Sequence, residues 1–301
     1  MKNKFKINPI LKKDMMVSSR NRKMALAVTL INAVMLLIVA VVILTNDYRG
    51  AYFYSSIANI FPSVAVFEIV IMTLIIPIMT SGSISGERER QTLDLMLTTP
   101  IKPIDIVKGK LYSALATVLI YVITSVPFIA IAFIIGGMQY RVLFEYILMM
   151  FLLGIYVGSI GIFSSSRKKN SVSATVGSIV LLVAITVLTF LIFEVGIYFY
   201  YYGGDDVGEV DILNITTIAL AFNPFAGCID FMLRSCSSYN LYDYMMWEVD
   251  SSRMNGFLGC FFEYIIPITI IVNLGISYLF LRIAAYRTVV TKNKRKRKNK
   301  K

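Results

Sequence analysis

Residues 24–44 read MALAVTLINAVMLLIVAVVIL, twenty-one consecutive positions without a charge. A helix rises about 1.5 Å per residue, so a run of this length covers the roughly 30 Å of hydrocarbon in a bilayer. The run is too long for the apolar core of a secretory signal and no small-residue cleavage site follows it, so it is expected to stay as a membrane anchor. Five further stretches share its character: about Ile57–Met79, Leu111–Ile135, Val142–Phe163, Val172–Phe199 and Phe257–Leu281. None shows the alternation of a barrel strand, and open strands cannot satisfy their backbone groups in lipid. The expected fold is an all-α polytopic membrane protein with six transmembrane helices.

Composition agrees with that reading and excludes others. Of the 301 residues, 57% are hydrophobic and 16% charged, with a mean hydropathy of +0.70, whereas soluble domains hold about 45–50% apolar and about 25% charged residues. The net charge of +12 would suit nucleic acid only if the cations formed a folded face with interleaved aromatics. Here they stand in blocks between apolar runs, so no nucleic-acid partner is expected. A chain with no histidine and three cysteines offers neither a His-ligated zinc site nor a Ser-His or Cys-His pair. No metal site and no catalytic residues are expected, and no G-x-x-x-x-G-K-[ST] phosphate loop is present.

The distribution of charge orients the chain. Twenty-six of the 30 Lys and Arg lie before the first span, in the loops joining spans two to three and four to five, and after the sixth span; the other side receives only Arg49, Arg141, Arg234 and Arg253. The positive-inside rule then places both termini in the cytoplasm, as an even number of spans requires, in a plasma or inner membrane. The chain divides into a cytoplasmic segment 1–23, a transmembrane domain 24–281 and a basic cytoplasmic tail 282–301. In the first segment Ile7, Ile10, Leu11 and Met15 recur at helical spacing, the pattern of an amphipathic helix lying at the interface. The end of the tail, KNKRKRKNKK from Lys292, reads as too charged to fold and as a site that attracts anionic lipid.

Between spans five and six lies an external region, 200–256, with eight acids against two arginines. Its apolar run Ile212–Phe222, followed by Asn223-Pro224-Phe225, is too short to span and reads as a segment dipping into the outer leaflet or as the core of an external cap. Cys228 and Cys236 form a possible disulfide if that compartment is oxidising. Within the spans, Glu68 is the acid nearest mid-membrane. It is read either as part of a translocation path or as a carboxyl hydrogen-bonded to hydroxyls of a neighbouring helix.

The loop 81–110, SGSISGERERQTLDLMLTTPIKPIDIVKGK, holds a charged turn, Glu87 to Arg90, followed by Leu93, Met96 and Leu97 at helical spacing. Pro100 and Pro103 end that pattern. A short cytoplasmic helix with one apolar face is expected, and such a face needs a cover. The stretch Gly86 to Pro100, GERERQTLDLMLTTP, resembles the G-E-R-E-x-x-T-L-x-x-L-L-x-[ST]-P pattern of permease subunits of bacterial ABC-2-type ATP-binding-cassette transporters, departing only at Met96. Asn8-Pro9-Ile10-Leu11-Lys12-Lys13 and Asn223-Pro224-Phe225 add weaker likenesses.

The resemblance implies a permease subunit, an exporter by direction, that pairs with a second copy or a paralogue and is driven by a separate ABC ATPase carrying ATP and Mg. It also implies that Gly86, Glu87, Arg88, Glu89, Arg90, Thr92, Leu93, Asp94 and Leu97, on a coupling helix over 86–99, receive the motion of that ATPase. Two rival readings rest on other residues: a stand-alone ion-coupled transporter or channel using Glu68, and a membrane sensor or scaffold using the acidic external region.

Overall fold

The computed structural model describes residues 16, 22–45, 60–93, 103–136, 139–202, 208–236, 240, 241, 243 and 256–298. Its elements are helices: α1 Arg22–Thr45, α2 Ile60–Glu89, α3 Pro103–Gly136, α4 Tyr140–Arg167, α5 Ser171–Tyr202, α6 Gly208–Thr217 with a 3-10 turn Ile218–Phe222, α7 Ala226–Cys236, α8 Gly256–Glu263 and α9 Ile265–Lys298. Six are long and apolar enough to cross a membrane, and the fold is that of an all-α polytopic membrane protein. The interfacial residues Ile7, Ile10, Leu11 and Met15 lie outside the described residues, as do Asp94 and Leu97.

The chain forms two compact units, residues 1–179 with 277–301 and residues 180–276. In the first unit α4 is the central helix, 72% buried over its span, while α1 is 11% buried and is therefore peripheral. What lets α4 sit so deeply is glycine on one face. A Cβ on Gly161 would overlap the Thr80 side chain of α2, and one on Gly158 would lie 2.8 Å from Leu111 Cδ1 of α3. Small residues bring helix backbones together where lipid offers no hydrophobic drive for association. The polar Thr80 tolerates that burial because its Oγ1 donates to Ile76 O at 2.7 Å within its own helix.

The second unit contains the apolar hairpin. The segments 212–222 and 226–236 meet at a bend of 92°. Asn223 sets the bend: its Nδ2 donates to Thr189 Oγ1 at 3.0 Å, and its Oδ1 accepts from Phe225 N at 2.9 Å. Thr189 lies thirteen residues before the end of α5 at Tyr202, about 20 Å of helix rise. The apex thus lies against the flank of α5. Within α7, Asp230 is fully buried and bonded at both carboxyl oxygens. Its Oδ2 pairs with Arg234 Nε at 2.6 Å and its Oδ1 accepts from Leu241 N at 2.8 Å.

Three sequence expectations change. The last span is Ile265–Thr288 rather than Phe257–Leu281, because the helix breaks at Tyr264. Pro267 has no N–H with which to bond Glu263 O in a continuous helix, and Arg234 Nη2 instead donates to Phe262 O at 2.7 Å. The basic tail is helical through Lys298: a helix already nucleated in the span propagates readily through Lys and Arg, good helix formers that also complement the negative C-terminal pole. Finally, α2 runs ten residues beyond the expected end of the second span, so Gly86 to Glu89 are its last turn and not the start of a separate helix.

Close packing at Gly161 is testable. Gly161→Leu is expected to cost about 1–3 kcal/mol through overpacking, seen as a lower Tm in detergent. Gly275→Ala, where an added Cβ meets nothing within 4 Å, is expected to leave Tm unchanged or raised.

Candidate functional site

The end of α2 carries the charged motif. Gln91 N donates to Arg88 O at 3.2 Å and Thr92 N to Glu87 O at 2.9 Å, with Gln91 in the left-handed region at φ 61°. These are the paired 5→2 and 6→1 bonds of a Schellman turn, in which Glu87 is the residue C3 and Gln91 stands at C′, a position usually given to glycine. Thr92 Oγ1 donates to the Glu87 carboxylate, closing the same turn through side chains. Glu87 also pairs with Lys110 of α3 at 3.6 Å. Leu93, the next residue, is buried among Ile84, Ile106, Val107, Leu111 and Ala284.

The two central charges face the connection between α4 and α5. Arg88 Nη1 donates to Lys168 O at 2.7 Å and Nη2 to Ser166 O at 3.3 Å, at the C-terminal end of α4. Glu89 Oε2 accepts from Ser171 Oγ at 2.8 Å and Ser171 N at 3.3 Å, at the N-terminal end of α5. A helix carries partial negative charge at its C-terminus and partial positive charge at its N-terminus. A cation and an anion at consecutive positions therefore meet the two opposite poles presented by one helix–turn–helix. Gly86 lies close to this junction: a Cβ there would stand 3.4 Å from Ser171 Oγ, in ordinary contact.

One turn further into α2, hydroxyls continue the seam. Ser165 Oγ accepts from Ile84 N and Ser85 N, both at 2.9 Å, and Ser81 Oγ lies 2.6 Å from Thr175 Oγ1. Through charges and hydroxyls together, the end of α2 is fastened to α3, α4 and α5. The sequence reading located the motif and assigned its charges to receiving the motion of an ATPase. It missed their partners within the chain, Ser166, Lys168 and Ser171, although the run SSSRKKNS over 164–171 joins two apolar spans and offers both helix ends within a few residues.

Glu68 is 2% exposed, inside the first unit. Ser125 Oγ of α3 lies 2.9 Å and 3.0 Å from its two carboxyl oxygens, and Tyr146 OH of α4 donates to Oε2 at 2.5 Å. No cation pairs with it among the described residues. Of the two readings of this residue, the geometry is that of a carboxyl bonded to hydroxyls of neighbouring helices. Cys228 and Cys236 are both free. They occupy one helix eight positions apart, about 12 Å of rise, beyond the roughly 4.4–6.8 Å Cα separation of a disulfide. The proposed bridge between them is therefore ruled out.

Six helices long and apolar enough to span define a multi-pass membrane protein. Residues 8–202 match the family described as ABC-2 family transporter protein, and the chain belongs to that family. Comparison with curated proteins returns no match.

Two sets of variants test these contacts. Glu68→Gln retains an acceptor for Ser125 and Tyr146 and is expected to lower Tm little. Glu68→Leu removes the carboxyl bonded to Ser125 and Tyr146, at a cost of about 1–3 kcal/mol, and is expected to lower it markedly. At the motif, Arg88→Gln and Glu89→Gln should each lower Tm, and a double-mutant cycle pairing Glu89→Gln with Ser171→Ala should show non-additivity.

Proposed function

We propose that this chain is the membrane-spanning subunit of an ABC-2 exporter whose ATP hydrolysis occurs, with Mg, on a separate ABC ATPase subunit. The basic side of the membrane is the cytoplasm and holds both termini. A second copy or paralogue completes the pathway, and the basic tail from Arg282 meets anionic lipid or the partner in that compartment.

The observation that carries this reading is the fastening at the end of α2. A push on the turn after Glu89 is not absorbed by a loose loop. It is passed through Glu87 to Lys110 of α3, and through Arg88 and Glu89 to the α4–α5 connection, so several spans move as one body. Rigid-body motion of packed helices is the way such a displacement switches access across a membrane. Family membership supports an ATPase partner in general. The bonding of buried Glu68 to Ser125 and Tyr146, with no cation beside it among the described residues, supports a structural role for it over a place on an ion path.

The test is purification of the chain from its native membranes followed by mass spectrometry and reconstitution. An ABC ATPase should co-purify, and the complex in liposomes should hydrolyse ATP faster than the ATPase alone. Transport by the chain in liposomes without any ATPase would overturn the reading.

A further inference from the structure

The junction of α2, α3 and α4 at Glu68 has hydrogens to place. Ser125 carries one hydroxyl hydrogen, and three oxygens lie within its reach: Val122 O at 2.8 Å, on its own helix, and the two carboxyl oxygens of Glu68 at 2.9 Å and 3.0 Å. One O–H cannot serve all of them. If it points at Glu68, Ser125 Oγ and Val122 O are left 2.8 Å apart with no hydrogen between them. If it points at Val122 O, the back-bond that a serine inside a helix makes to its preceding turn, the carboxyl faces a lone pair of Ser125. Only a hydrogen on the carboxyl itself then turns that contact into a bond. The second arrangement leaves neither contact empty.

Charge favours the same arrangement. Glu68 is 2% exposed, and no cation pairs with it among the described residues. A carboxylate taken out of water without a cation is costly, and such a group stays neutral instead. Tyr146 OH gives it one bond, to Oε2 at 2.5 Å, and the fully buried Phe61 packs its ring edge-on to Tyr146 with centroids 5.5 Å apart. We propose that Glu68 is a proton-holding site: a neutral carboxylic acid whose Oε1 hydroxyl donates to Ser125 Oγ. The result is a directed chain in which Tyr146 donates to Glu68, Glu68 to Ser125 and Ser125 to Val122 O, each hydrogen with one acceptor. Three spans are thereby joined through a polar contact that places no net charge in the hydrocarbon. A carboxylic acid held neutral in an apolar site so that it can donate is established protein chemistry. The assignment is independent of what drives the chain, since it concerns only groups inside the first unit.

The experiment is infrared difference spectroscopy on the full chain in phosphatidylcholine nanodiscs at neutral pH, the parent against Glu68→Gln. The parent should show the C=O stretching band of a protonated carboxyl, above the amide bands and shifted in D2O, and Glu68→Gln should lack it. Tyr146→Phe removes the donor to the carbonyl oxygen and should move that band to higher frequency without abolishing it. Glu68→Gln should also keep its Tm within about 4 °C of the parent, because glutamine puts an N–H where the acid has its O–H. Loss of a carboxylate pair of bands in Glu68→Gln, in place of the acid band, would overturn the proposal. So would an acid band that Tyr146→Phe leaves unmoved. If Glu68→Gln does not insert, the spectrum of Ser125→Ala decides: an acid band displaced from its place in the parent supports the chain, and no acid band in either protein refutes it.

Discussion

A helix that ends at a membrane surface leaves carbonyls without partners, and the helix that follows it leaves N–H groups without partners. In this chain α4 ends at Arg167 and α5 begins at Ser171, so both sets stand together at one short connection. Arg88 and Glu89 answer them in order, the guanidinium on the carbonyls of Ser166 and Lys168 and the carboxylate on the N–H and hydroxyl of Ser171. Much of the basic side of the structure depends on that match. It fixes where α2 must end, and it holds in place the turn that carries Leu93 into the core.

The same demand for internal partners governs the interior. Hydrocarbon offers no hydrogen bonds, so a polar group that leaves water must find one within the protein. Thr80 turns back on its own helix, Asn223 braces its bend against Thr189, and Asp230 is bonded at both oxygens. Glu68 takes its bonds from two other spans. Asn223, Asp230 and Glu68 each tie one segment to another, so helices are held by direction-specific contacts as well as by close packing.

Much of this was legible before any coordinates. Charge-free runs long enough to cross a bilayer announce themselves, and the start of α1, α4 and α5 fell within a few residues of where apolar runs meet charge or serine. The last span was misplaced because Phe257 to Phe262 is as apolar as the true span, and the break at Tyr264 depends on Pro267 and on Arg234 reaching back from a segment some thirty positions earlier. The tail was taken as unfolded on charge alone, an argument that overlooks propagation from a helix already formed. The cysteine pair failed for a simpler reason: eight positions on one helix cannot be brought together.

Sequence by itself determined the fold class, the presence of six spans and the place of the charged turn, because each of these follows from the local cost of putting a residue in lipid or water. Only the tertiary structure decided what the charges do. Whether Arg88 is solvated, docks a partner or caps a helix depends on what lies within a few ångströms of it, and those groups come from positions about eighty residues away. Hydrogen bonds are short and directional, so their partners are set by how the helices pack, and no pattern along a single stretch of chain records that.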